Sequence, residues 1–322
     1  AGCGSSGSSS SSGSSTPSGS TSPSGSATAP GGQNHLHSIA ILPRNPNELY
    51  MGAHYRLYKS SDGGLKWRPM INLMILSMAL DPRHPATLYA VSSTRGLLKT
   101  TDGGAHWKPS QAGIPAGEIT GVALDQGNGT VFAYGVGMYR STDGGSHWSL
   151  VLPKDTFRDV AVGAGHTAYA ASEIDGLYVS HDGGVHWKHV GSIGNQPVIQ
   201  VVASGQVAYA AAAIGLFKSA DGGHSWKFLS GAPAGIQFLG ISPTNPNEVF
   251  GEIGAHGFVA SRDGGASWHS VNSGIRDKDF TASTIQVAPS SPQIVYTGSW
   301  GLSFYASRDG GRHWVRTARL AR

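Results

Sequence analysis

The chain has 322 residues, of which only 13% are charged, and its 23 Lys and Arg against 19 Asp and Glu leave a net charge of +4. No basic run follows a groove or helix face, which argues against a nucleic-acid partner. The longest apolar runs are strand-sized, too short to cross a bilayer as a helix. A single cysteine, Cys3, excludes an internal disulfide.

The chain begins Ala1-Gly2-Cys3, small residues ahead of a cysteine. This is the pattern at which a bacterial lipoprotein leader is cleaved and its cysteine acylated, although the hydrophobic part of such a leader is not in the sequence. Gly4 to Gly32 is almost wholly Ser, Gly, Thr and Pro. Such a composition cannot bury a core and predicts a disordered tether or glycosylated stalk. The expected division is residues 1–34 as lipidated Cys3 plus tether and residues 35–322 as the folded domain. It implies an extracytoplasmic, cell-surface lipoprotein with the membrane as a partner.

From His35 onward the sequence repeats. Ile39-Ala40-Ile41 stops at the turn cluster Pro43-Arg44-Asn45-Pro46-Asn47, then Leu49-Tyr50-Met51 and Leu57-Tyr58-Lys59 follow. The segment closes on Ser60-Ser61-Asp62-Gly63-Gly64-Leu65-Lys66-Trp67. This Ser/Thr-x-Asp-Gly-Gly-x-x-Trp box recurs six times, with its aspartates at Asp102, Asp143, Asp182, Asp221, Asp263 and Asp309 and its tryptophans at Trp107, Trp148, Trp187, Trp226, Trp268 and Trp314. The steps between aspartates are 40, 41, 39, 39, 42 and 46 residues. A period near 40 is that of a four-stranded propeller blade. First strands carry alternating bulky and small residues, as in Met78-Ala79-Leu80 and Val160-Ala161-Val162. Second strands place an aromatic at one equivalent position, Tyr50, Tyr89, Phe132, Tyr169, Tyr209, Phe250 and Tyr296.

The expected fold is therefore all-β, a seven-bladed β-propeller with a box in every blade. Its blades lie near 37–70, 75–110, 119–152, 157–190, 198–229, 236–271 and 283–317. Asp-Gly and Gly-Gly supply positive φ for the chain reversal, and the aspartate can lock the turn through backbone N–H groups. The tryptophan opens the fourth strand, where its ring can bury against the next blade. Seven equivalent aspartates read as architecture, because a working site is single. All strands follow one order, so closure is expected from packing of the first blade on the last, with an outer strand from residues 28–36 as the alternative.

The boxes resemble the Asp-box, or bacterial neuraminidase repeat, superfamily. The longer pattern Leu88-Tyr89-Ala90 with Gly96-Leu97-Leu98-Lys99-Thr100-x-Asp102-Gly103-Gly104-x-x-Trp107 is similar to photosystem II assembly-factor-like propellers. It also resembles sortilin-type ectodomains, xyloglucanases and bacterial surface lipoproteins with the same repeat. The resemblance covers residues 35–317. Within the superfamily, sialidases use three arginines, a Tyr/Glu nucleophile pair and an acidic aspartate. Here Leu42-Pro43-Arg44 does not match their Arg-Ile-Pro segment, and only five glutamates are present. Xyloglucanase-like enzymes pair two such propellers, and this chain has the repeats of one.

Function in such a scaffold sits in the loops. The loops leading into first strands, with those joining second to third strands, surround the channel mouth opposite the boxes. They carry His35, His37, His54, Tyr55, Arg56, Arg95, Arg158, Asp159, Glu173, Asp175, Gln200, His256, Arg276 and Trp300 as candidate binding residues. The three histidines 35, 37 and 54 have the chemistry of zinc or copper ligands. No carboxylate or cysteine is spaced to complete that set, so the expectation is solvated loop histidines, with no metal and no cofactor. Arg56, Arg95 and Arg158 offer bidentate forks for a carboxylate, against ordinary pairing such as Arg158 with Asp159 or Asp175. Glu173 and Asp175 are the best acid/base pair, on a loop that also reads as a polar turn. Tyr55 and Trp300 offer rings for a sugar or a protein anchor.

The leading expectation is a secreted, surface-tethered, non-enzymatic propeller binding a protein or glycan partner through this face, in the manner of an assembly factor or scaffold. No catalytic residue is assigned. The alternative is a lipid-anchored glycoside hydrolase of sialidase type. A metal-dependent surface enzyme built on the histidines is a third reading.

Overall fold

The computed structural model describes residues 35–319 except 255, 256, 278–280, 300 and 302. Cys3, the tether, His256 and Trp300 lie outside the described residues.

The described chain is all-β, an antiparallel propeller. The first sheet holds β1 (Leu36–Leu42), β2 (Asn45–Ala53), β3 (Leu57–Ser60) and β4 (Arg68–Ile71). The second holds β5 (Ile75–Leu80), β6 (Leu88–Ser92), β7 (Gly96–Thr100) and β8 (Lys108–Pro109). A six-stranded sheet follows, with β9 (Ile119–Leu124), β10 (Val131–Ser141), β11 (Ser149–Val162), β12 (Ala168–Ser172), β13 (Leu177–Ser180) and β14 (Lys188–His189). Then come β15 (Val198–Ser204) to β18 (Lys227–Phe228), with β16 (Val207–Ala212) and β17 (Gly215–Ser219) between. The fifth sheet runs from β19 (Phe238–Ile241) through β20 (Val249–Glu252) and β21 (Phe258–Ser261) to β22 (His269–Ser270). The last is β23 (Ala282–Val287), β24 (Val295–Ser299), β25 (Ser303–Ser307) and β26 (Trp314–Arg319).

This corrects the blade count. Five sheets are four-stranded blades, not seven, and the sixth sheet is a continuous six-stranded one. The expected blades 119–152 and 157–190 are fused by β11. Its first part pairs with β10 as far as Thr156, and its second part pairs with β12 from Phe157. β10 likewise runs through an expected second and third strand, meeting β9 with Val131 to Gly135 and β11 from Val136 on. Segment 149–162 contains no glycine, unlike the links after β8, β14, β18 and β22 with Gly113, Gly194, Gly235 and Gly274 at positive φ, although the link 72–74 after β4 also turns without one.

The boxes behave as turns. In one, the Thr100 hydroxyl donates to Asp102 Oδ1 at 2.7 Å and accepts from the Gly104 N–H at 3.0 Å, while Asp102 Oδ1 also accepts from the His106 N–H at 3.0 Å. Both glycines of every box have positive φ. The Ser225 hydroxyl, then its backbone N–H, holds the Asp221 carboxyl down at about 2.

Trp67, Trp148, Trp226 and Trp314 pack the other way from the expectation, against the preceding sheet, and Trp187 packs within the six-stranded one. Trp187 meets Phe132 edge-on at 5.8–6.1 Å spacing shared with the Trp226–Tyr169 pair, the two centroid distances being 6.1 and 5.8 Å. In the preceding sheet aromatic side chains meet three of them, Phe304 for Trp67, Tyr169 for Trp226 and Phe258 for Trp314. Basic residues of the third strands add to this lock. Lys99 Nζ donates to Gly144 O at 2.7 Å, Arg140 Nε to Gly183 O at 2.6 Å and Lys218 Nζ to Gly264 O at 2.9 Å, each reaching the next box.

The ring closes by packing. Leu36, Ile39 and Met51 of the first sheet share one buried cluster with Tyr296 and Phe304 of the last. The Tyr296 hydroxyl donates to Pro46 O at 2.9 Å across the same seam. The innermost strands β1, β5, β9, β15, β19 and β23, with the second part of β11, line a central channel of about 480 Å³.

Candidate functional site

The innermost strands diverge too far to pair through their backbones, and polar side chains bridge them instead. Ser77 Oγ on β5 accepts from the Val122 N–H of β9 at 3.2 Å. Asp159 Oδ2 on β11 accepts from the Val201 N–H of β15 at 3.2 Å. Gln200 Oε1 on β15 accepts from the Leu239 N–H of β19 at 2.5 Å. These three residues occupy one equivalent position, just ahead of the buried Met78, Val160 and Val201. Asp159 also accepts from its neighbour's Val160 N–H at 2.9 Å and from the Tyr134 hydroxyl at 3.4 Å. Burial outweighs these donors and pushes its carboxyl up to about 6. Asp159 and Gln200 are thus engaged in the scaffold at the channel wall. Ser77 and Tyr134 were not singled out by sequence reasoning. Aligning the repeats at the residue before each buried apolar one would have found the Ser77 position.

The remaining candidates divide by partner. Arg158 pairs with Glu173 at 2.6 Å, both of them partly exposed. The Tyr178 hydroxyl donates to Asp175 Oδ2 at 3.4 Å. Glu173 and Asp175 therefore each have a separate partner. Arg158 lines the channel, while Arg56 and Arg95 stand exposed on the β2–β3 and β6–β7 loops away from its lining. The three arginines are not brought together on one ligand position. Arg276 is exposed, and its backbone N–H donates to the Tyr305 hydroxyl at 3.3 Å.

The histidines do converge. One candidate nitrogen from each of His35, His37 and His54 lies within 4.8 Å of the others. His35 is buried and the other two are half-buried, so these are not freely solvated rings. Burial first, then the neighbouring His35 and His54, lowers the His37 imidazole to about 4. Tyr55 stands edge-on to His54 at 4.6 Å between centroids.

Four of the loops or bends that join second to third strands share one further property. Tyr55, Val136, Ile174 and Ile214 are all large apolar residues about half exposed, at 48%, 53%, 59% and 55%. Each residue of this apolar rim stands on the corresponding loop or bend of its sheet.

Comparison with known proteins agrees with this scaffold. The family described as Photosynthesis system II assembly factor YCF48 matches residues 69–321. A solved structure of YCF48 bound to D1 peptide is similar with a TM-score of 0.66 and 20% identity, over 83% of this chain and 91% of that one. The GH74 enzyme of Niastella koreensis is similar with a TM-score of 0.70 and 17% identity, over 90% of this chain and 55% of that one. Likenesses at such identities concern the fold alone. A probable oligoxyloglucan-reducing end-specific xyloglucanase of Neosartorya fischeri is 36% identical over 87 residues, which is 24% of this chain and 11% of that protein. The chain spans about half the length of the GH74 enzyme, and far less of the fungal one. With most of its length matched, the chain belongs to the Photosynthesis system II assembly factor YCF48 family.

Proposed function

We propose that this chain is a non-enzymatic, assembly-factor-type propeller that holds a segment of a protein partner at the channel mouth. The observation that carries the reading is the apolar rim of Tyr55, Val136, Ile174 and Ile214 on these loops and bends, with the Arg158–Glu173 pair between β11 and the loop that follows β12 of the six-stranded sheet. Exposed apolar residues gathered on one face mark interaction surfaces, and aromatic and arginine side chains anchor them. The YCF48 structure with D1 peptide supports a protein partner for a propeller of this family. A crosslinking amino acid placed at Ile174 is expected to capture one protein in native membranes, at one sequence segment. Ile174→Asp together with Ile214→Asp should abolish capture from a second crosslinker at Tyr55. Equal capture by the double variant would remove the rim from the reading.

A second reading, a glycoside hydrolase, is favoured by the 87-residue likeness to the fungal xyloglucanase. Release of new reducing ends from xyloglucan oligosaccharides by the purified chain would make it the better one. Glycan binding without cleavage would register in the same assay as retention of the oligosaccharide.

Surface tethering through acylated Cys3 belongs to the same proposal and rests on the Ala1-Gly2-Cys3 pattern ahead of the Ser/Gly segment. A stable anchor takes more than one lipid chain. With a lipoprotein leader supplied, the wild type should fractionate with membranes and Cys3→Ser should not. Identical fractionation of the two would end this part.

A further inference from the structure

We propose that His35, His37 and His54 form a binding site for one divalent ion of the zinc class at the channel mouth. Nothing in the partner-binding reading requires it, and it rests on different residues. His35 immediately precedes β1 and His37 sits at the bulge between Leu36 and Ser38, where the pairing with β2 shifts register. His54 follows the last residue of β2, and its N–H donates to His35 O at 2.9 Å, which fixes the two strands against each other. Ring centroids stand 4.3 Å apart for His35 and His37, 4.8 Å for His35 and His54, and 6.2 Å for His37 and His54.

The polar accounting also points to a cation. His37 Nε2 and His54 Nδ1 are buried and have no hydrogen-bond partner among the described residues. A buried polar atom without a partner costs about 1–3 kcal/mol. Three protonated imidazoles at this spacing would repel one another. A metal ion placed among the three rings would give the unpartnered His37 Nε2 and His54 Nδ1 a common partner, with His35 at the same position. Imidazole suits zinc, copper and nickel. Zinc–nitrogen bonds of about 2.0–2.1 Å require the nitrogens to draw in from their present spacing, which rotation of the side chains supplies. His37 lines the channel, so a fourth coordination position faces the channel lumen. Tyr55, edge-on to the His54 ring, restrains that ring's orientation.

The test uses the whole chain, stripped with chelator and dialysed. Zinc is titrated by calorimetry, and cobalt(II) by visible absorption as a reporter of tetrahedral coordination. One equivalent is expected, with a rise in melting temperature on adding zinc. His37→Gln and His54→Gln should each weaken binding by about 100-fold or more, since losing even an outer partner of a metal ligand costs about 10–100-fold. His181→Gln serves as a control, because His181 stacks on His224 at 4.3 Å on the box side, outside the cluster. It should leave the affinity unchanged. Should His37→Gln fail to fold, His54→Gln and the wild-type melting shift still decide. Absence of zinc binding by the wild type, or unchanged affinity in His54→Gln, overturns the site.

Discussion

Trp314→Ala is expected to cost about 3–5 kcal/mol of stability, the range for emptying a buried aromatic site. Trp314 is the largest fully buried side chain among the described residues, 1% exposed. Its ring stacks on Phe258 at 5.3 Å and 26° between planes, and its Nε1–H donates to Val271 O at 2.7 Å. The substitution leaves a cavity between the fifth and last sheets and removes the donor to that carbonyl together. Trp148 differs. It is only half-buried, although its Nε1–H also reaches back to Ser110 O at 2.8 Å, so Trp148→Ala should cost visibly less. Urea unfolding of the two variants beside the wild type measures the difference. Equal midpoints for Trp314→Ala and wild type would show that inter-sheet burial of the box tryptophan is not a major support of the fold.

Gly184→Ala should be nearly as damaging, for a different reason. Gly184 has φ +83, and a Cβ there would lie 2.3 Å from Phe132 Cε1. Phe132 is fully buried, so its ring has nowhere to retreat. The strained backbone costs about 1–3 kcal/mol, and overpacking adds about 1–3 kcal/mol. Gly194 separates the two effects. It has φ +72 with nothing within 4 Å of its would-be Cβ, so Gly194→Ala should show the backbone cost alone. Similar losses for both alanines would mean that contact with Phe132 contributes nothing.

Much of the scaffold was legible because it is written locally. Each Asp-Gly-Gly makes a turn with both glycines at positive φ, and the aromatic at one position of the second strands is buried throughout. The blade count was not legible, because it depended on segment 149–162 turning between two sheets. That segment has neither glycine nor a turn cluster, and extended backbone simply continued as β11. The site divided along the same line. Arg158 and Glu173 lie on elements joined by the β11–β12 register, and their pairing needed that register as well as the residues. The histidine cluster needed the bulge between Leu36 and Ser38, which sets β1 against β2 and turns His37 toward its neighbours. No spacing rule carries such a bulge. Asp159 and Gln200 read as loop-face polar residues, whereas the spreading of strands around a channel gave them backbone amides to satisfy.

The seam between the first and last sheets has a consequence for how the molecule folds. Each sheet is assembled from hairpins of neighbouring segments, so most contacts form early and cheaply. The Tyr296–Pro46 contact joins residues 250 apart. Bringing such distant ends together from an open chain costs roughly 5 kcal/mol of loop entropy, since the cost grows with the logarithm of loop length. No strand exchanged between the termini offsets it among the described residues, because β1 and β26 pair only with their own sheets. The packing of Leu36, Ile39 and Met51 on Tyr296 and Phe304, with the Tyr296–Pro46 hydrogen bond, carries that closure. The seam is therefore expected to form late and to part early, and the histidines at the head of β1 stand beside it.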